Sequence, residues 1–224
     1  MTSRPGAGTA VEASTVATDS SNIDGRMSIV AEDRERAILY GILASGLEGP
    51  VDHGWLNAVA GLPRLEGDIG ACLADLSRSA SQADPLALRR DYHDLFIGVG
   101  RGELVPYASY YLTGFLNEKP LALLRQDMRR LGIERDPDVH EPEDHIAALC
   151  AVMAGLIDGS FGADQDAESS FFRTHLATWA PYFFKDLATT AIGDLYPALG
   201  RLGQAFIALE IEADRLFGER RKAG

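Results

Sequence analysis

Cysteine is scarce in this chain: only Cys72 and Cys150 occur among 224 residues. Two thiols are too few for a disulfide framework, and both sit in apolar helical patterns, so they read as buried free thiols of a reducing compartment. No apolar run approaches the roughly 18 residues that cross a bilayer. The longest, Ile146 to Ile157, has the length and pattern of a core helix. Arg4 has no apolar stretch behind it, which does not fit a secretory signal, and a cytoplasmic protein is the expectation. Positive charge is also short: 21 Lys and Arg against 33 Asp and Glu leave a net charge of -12. Such a surface repels nucleic acid and anionic lipid and attracts cationic peptides. There is no glycine loop closed by Lys and Ser or Thr, no Gly-x-Ser-x-Gly elbow and no Cys-x-x-Cys, so nucleotide hydrolysis and covalent catalysis have no local support. Strand-like alternation is missing too, and Asp24-Gly25 and Asp158-Gly159 lack the flanking runs of a hairpin.

What remains is helical. Residues 1–27 are rich in Ser, Thr, Ala and Gly and carry no large apolar periodicity, which reads as a disordered leader. Residues 28–220 then read as one all-α globular domain of about eight to ten helices. Ile38, Leu39, Ile42, Leu43 and Leu47 form an apolar stripe ended by Gly49-Pro50, with short helices following at about 51–61 and 67–80. Asp84-Pro85 reads as an N-cap and first-turn proline. The helix behind it aligns Leu88, Tyr92, Leu95 and Phe96 and ends near Gly98-Val99-Gly100. A short aromatic turn reaches Leu112, and another helix runs from Pro120 to Leu131 with Gly132 as C-cap. Pro142 is expected to open a helix closed by Gly159, a helix at about 165–179 to end at Pro181, and a last helix to start near Pro197. In that last helix Leu199, Leu202, Phe206, Leu209, Ala213 and Leu216 form one seam.

His140-Glu141-Pro142-Glu143-Asp144-His145 packs two histidines and three carboxylates into six residues. Three readings stay open: acids capping a helix that starts at Pro142, an acidic recognition edge, or a metal or acid/base site. Tyr92 to Gly98 followed by Pro106 to Tyr110 is either core packing or a groove lined by apolar and aromatic groups. His175, Trp179 and Phe183 read as core.

Four elements together resemble the TorD/DmsD family in order and spacing. They are Tyr92-x-x-Leu95-Phe96-x-Gly98, Pro106-Tyr107-x-Ser109-x-Tyr111, Glu141-Pro142-x-Asp144-His145 and His175-x-x-x-Trp179-x-Pro181-x-Phe183. The Glu-Pro-x-Asp-His element is the most specific, and the resemblance spans about residues 30 to 217. It implies a cytoplasmic, all-helical, non-catalytic chaperone of a molybdenum-cofactor oxidoreductase. Such a chaperone binds the twin-arginine signal peptide and apo form of its client, assists cofactor insertion and delays Tat export. It has no nucleic acid partner and no stable membrane insertion, and monomers and domain-swapped homodimers both occur.

The signal-peptide site implied by the resemblance comprises Tyr92, Leu95, Phe96, Pro106, Tyr107, Ser109, Glu141, Asp144 and His145. Asp144, with Glu141 and Glu143 nearby, is expected to pair with guanidinium groups, and the Leu95/Phe96 face to receive the apolar stretch. A neutral His145 would exchange one hydrogen bond. Tyr92 and Gly100 stand where some members carry Trp, which thins the aromatic lining. No cofactor of its own is expected; no residue pattern supports a guanine nucleotide or molybdenum-cofactor contact. The rival readings are a metal-dependent enzyme using His140, Glu141, Asp144 and His145, and a helical scaffold that docks a folded partner through Leu202 to Leu216.

Overall fold

A computed structural model describes residues 20–98, 102–136, 138–162 and 165–223, with side chains from 31 to 219. Residues 1–19 of the expected leader, and Gly100, lie outside the described residues. Ten α-helices and one π-helical segment are described: α1 (Ser20–Leu47), α2 (His53–Ala60), α3 (Gly67–Gln82), α4 (Pro85–Tyr92), the π segment (His93–Ile97), α5 (Ala108–Thr113), α6 (Lys119–Arg130), α7 (Ile146–Ile157), α8 (Gln165–His175), α9 (Ala180–Thr189) and α10 (Leu195–Ala223). The first of these begins inside the span expected to be leader. Among the described residues the β-type pairing is an isolated antiparallel bridge, Tyr107 to His145. The all-α expectation holds. No helix of the described residues is long and apolar enough to cross a membrane.

Local chemistry sets the ends. The Asp84 carboxylate accepts from the Leu86 and Ala87 amides, and Pro85 has no amide to leave unpaired, so α4 starts where the sequence predicts. Asp52 caps α2 through the Trp55 amide. Gly132 and Gly159 adopt positive φ just past α6 and α7, a conformation that a side chain would strain.

The core gathers around α7. Ile146, Leu149, Cys150 and Met153 are fully buried, and α7 packs along α1 and α8. The long α10 packs along α9 and α3. Contact between α9 and α10 depends on Gly200, where an added Cβ would sit 2.4 Å from the Ala188 amide nitrogen. Backbone cannot step aside as a flexible side chain can, so the two helices approach only because that position is glycine.

Four expectations need correction. First, α8 stops at His175, and Pro181 opens α9 instead of ending α8. A proline in the first helical turn costs no hydrogen bond, so the same residue serves as start or stop. Second, the α10 seam does not continue: Leu199, Leu202 and Phe206 are buried, while Leu209 and Leu216 are exposed. Past Glu210, no described side chain of α10 is buried, so the periodic pattern outruns its cover. Third, Cys72 is partly exposed, near the Arg201 carbonyl, and only Cys150 is sealed. Fourth, α7 begins at Ile146, four residues after Pro142.

Candidate functional site

The last correction rebuilds the acid-histidine segment. The His145 amide donates to the Pro142 carbonyl at 3.1 Å, closing a turn. His145 then leaves in extended conformation, with φ -65 and ψ 138, and lies against Tyr107. Two backbone bonds fix this meeting: Ala108 N–H to Asp144 O at 3.0 Å, and Ile146 N–H to Pro106 O at 2.9 Å. Tyr107 precedes α5 without offering it a side-chain cap. Asp144 supplies one from across the chain, its Oδ2 accepting the Ser109 amide at 2.9 Å. His145 caps α7 itself, Nδ1 accepting the Ala147 amide at 3.1 Å. The acids therefore do not cap a helix starting at Pro142; one of them caps α5 and the histidine caps α7.

The three carboxylates have separated by role. Asp144 is buried. Glu143 receives Arg125 at 2.9 and 2.7 Å and approaches Arg135 at 3.8 Å. Burial pushes its carboxyl up, but the Arg125 hydrogen bond and the arginine charges outweigh that and hold it below the usual range. Glu141 is exposed and accepts the Tyr107 hydroxyl. Tyr92 is buried in the core, its hydroxyl donating to the Leu47 and Glu48 carbonyls at 3.4 and 3.3 Å; burial first, then the Glu141 and Glu48 charges, raise its phenol to about 12. The Tyr107 and His145 rings meet edge to face, with centroids 5.1 Å apart.

The remaining expected residues divide. Pro106 and Ser109 are buried beside this junction. Leu95 is fully buried in the core and presents no face to a ligand, while Phe96 is half-buried against Tyr92 and Tyr196. The π-helical turn is followed closely by the chain at Gly102, where a Cβ would lie 2.5 Å from the Leu95 carbonyl oxygen.

Among the described residues, no three His, Cys, Asp or Glu side chains form a group that could hold a metal ion. His140 points outward, His145 has one ring nitrogen on Ala147 and Asp144 one oxygen on Ser109, so the proposed four-residue metal set does not converge.

Asp144 also lines a cavity of about 350 Å³ between α5, α6, α7 and α8. Its apolar walls are Ala108, Leu112, Leu123, Leu124 and Leu149. His175 forms part of the floor, its Nε2 3.0 Å from Asp127 Oδ2. Burial lowers the His175 pKa, against the pull of the Asp127 hydrogen bond and charge. Sequence reasoning missed these walls. Leu121, Leu124 and Met128 form the buried face of α6, and Leu123 stands off it, exposed. That apolar residue outside the stripe was the available signal. A wider cavity of about 580 Å³ between α1 and α7, around Ile38 and Ile157, contains none of the expected site residues.

His145 gives the site a pH signature. Its desolvation lowers the pKa to about 4, against 6.5 for a free imidazole. Above pH 6.5 neither folded nor unfolded chain gains a proton there. Below it the unfolded chain binds a proton that the native state refuses, so stability falls as pH drops from 6.5 towards 4. At pH 5 the loss is about 2 kcal/mol. His145→Asn keeps an oxygen to cap Ala147 and removes the titration. Urea denaturation between pH 7 and 4.5 should therefore show a flatter stability profile for the variant, and parallel profiles would remove His145 as the cause.

The chain matches known proteins across this region. The family described as Nitrate reductase delta subunit matches residues 62–185, which contain every expected site residue. The Chaperone protein TorD of Shewanella loihica (strain ATCC BAA-1088 / PV-4) is 29% identical over 204 residues, covering 81% of this chain and 93% of that protein. The Chaperone protein TorD of Vibrio cholerae serotype O1 (strain ATCC 39315 / El Tor Inaba N16961) is 32% identical over 176 residues, covering 74% and 80%. A crystal structure described as a candidate redox enzyme maturation protein from Archaeoglobus fulgidus shares the fold, with a TM-score of 0.55 at 22% identity, covering 78% of this chain and 93% of that one.

Proposed function

This chain belongs to the TorD family of chaperones, and on that premise we propose that it holds the unfinished form of a molybdenum-cofactor oxidoreductase by that enzyme's twin-arginine signal peptide. Its part is that of a maturation chaperone; no bond is made or broken. Binding keeps the client from Tat export while its cofactor is inserted.

The observation that carries this reading is the exposed carboxylate of Glu141, set beside Tyr107 while its neighbours Glu143 and Asp144 are already engaged. A guanidinium group pairs with a carboxylate through two parallel hydrogen bonds and lies well against an aromatic face. Glu141 and Tyr107 offer both. The neutral imidazole of His145 adds no opposing charge near neutral pH. The net charge of -12 favours encounter with a basic segment.

Glu141→Gln tests the proposal cleanly. Glutamine keeps an acceptor for the Tyr107 hydroxyl and removes only the charge. Calorimetric titration with a synthetic twin-arginine peptide should show about tenfold weaker binding and a shallower salt dependence, at unchanged melting temperature. Equal affinity for wild type and variant at low salt would end this assignment of Glu141.

A further inference from the structure

The apolar half of the proposed ligand still needs a seat, because Leu95 is closed off in the core. Large apolar side chains do lie exposed nearby: Leu112, Phe115, Leu116 and Leu123, on and between α5 and α6. Two of them, Leu112 and Leu123, line the 350 Å³ cavity that Asp144 also borders. A cluster of exposed apolar groups at the mouth of a pocket marks a binding surface more often than scattered leucines do.

We infer that this α5–α6 pocket receives an aliphatic side chain of the same client segment whose arginine meets Glu141. The inference rests on the function proposed above and adds the second contact and its direction. Charge decides the occupant. At the Tyr107 end stands the exposed Glu141 carboxylate, which accepts the Tyr107 hydroxyl. At the pocket the apolar walls are mainly leucine and alanine, and Lys119 and Asp144, of opposite sign, both stand among the lining groups. A segment that suits both ends is cationic first and uncharged and aliphatic after. The two ends share a short helix. Tyr107 immediately precedes α5 and Leu112 lies near its end, so five residues at a rise of 1.5 Å separate them by about 7.5 Å, roughly two to three residues of extended peptide. The arginine and the aliphatic residue should therefore lie two to three positions apart.

Leu112→Gln and Leu123→Gln are suitable variants because both positions are exposed. The probe is a synthetic peptide with an Arg-Arg pair followed by leucines, titrated into the full chain. A second peptide has the leucines replaced by serine, and a third has the arginines replaced by glutamine. Each variant should bind the first peptide about tenfold more weakly and lose nothing further against the serine peptide. If both variants bind the leucine peptide like wild type while Glu141→Gln weakens it, the pocket inference falls and the function above stands. If the variants weaken the glutamine peptide but Glu141→Gln leaves the arginine peptide unchanged, the pocket stands and the acidic edge falls. No binding of any peptide by the wild type overturns both. Sedimentation supplies the remaining outcome: a dimer that Leu123→Gln dissociates would assign the pocket to a second copy of the chain and overturn the inference.

Discussion

Arg36→Leu should destabilise the protein by about 3–5 kcal/mol at neutral pH, lowering the melting temperature by roughly 10 °C. Arg36 joins three helices. Its Nε and Nη2 each lie 2.8 Å from a carboxylate oxygen of Glu210 on α10, and Nη2 lies 2.6 Å from Glu168 on α8. Asp33, one turn back on α1, takes Nη1 at 3.0 Å. The hydroxyl of fully buried Tyr40 donates to the same Glu210 at 3.1 Å. Burial disfavours the Arg36 charge, but Glu210 and Glu168 outweigh it and hold the guanidinium protonated throughout the working range. Glu210 is 4% exposed, so removing the arginine leaves a carboxylate in the core with only a phenol to answer it. That uncompensated charge, more than the lost pair, is the source of the penalty. Arg36→Leu combined with Glu210→Leu should recover about half of the loss, and not all, since Tyr40 and Glu168 then lack their partner. Urea melts of the single and double variants at pH 7 check both statements. A single variant as stable as wild type would show that the cluster contributes nothing.

The same contrast between residue type and surroundings explains what the sequence makes legible. Capping geometry is local, so Asp84-Pro85 announces α4 and the glycines after α6 and α7 announce their ends. The buried face of α7 follows from periodicity, and the family resemblance from four short elements in order. Roles that depend on a distant partner are not legible. Glu141, Glu143 and Asp144 are three similar carboxylates in the chain. They part company only because Arg125 stands opposite one, the Ser109 amide opposite another, and the Tyr107 hydroxyl and solvent opposite the third. Periodicity likewise names a face and not its cover: Leu95 and Phe96 share a stripe, yet one is sealed and the other is half-buried. Leu209 and Leu216 continue the α10 stripe past its last buried apolar residue, Ile207. The proposed client site sits where local rules misread the chain, between a turn mistaken for a helix start and a short helix capped from elsewhere.

Trp179→Ala should cost about 3–5 kcal/mol and loosen that short helix as well. Trp179 is fully buried in the turn between α8 and α9. Its indole N–H donates to the His175 carbonyl at 2.7 Å, tying the turn back to the end of α8. Its ring lies 5.5 Å from Tyr111 on α5 and 6.1 Å from Phe183 on α9. Tyr111 reaches α9 by a second route, its hydroxyl donating to Asp186 at 2.9 Å. The wall of α5 is thus braced from behind by an aromatic cluster and from its start by Asp144. Alanine at 179 removes the cluster's largest member and opens a cavity next to Tyr111, whereas phenylalanine fills most of the space and loses one buried hydrogen bond. Trp179→Phe should therefore cost about 1 kcal/mol, well below the alanine variant. The distinction reaches function because Leu112 follows Tyr111 directly and borders the pocket. Peptide titration at a temperature where both variants are folded should show weakened binding for alanine and near wild-type binding for phenylalanine. Equal destabilisation by the two substitutions would place the contribution of Trp179 in its hydrogen bond alone and remove the packing that links the core to the site.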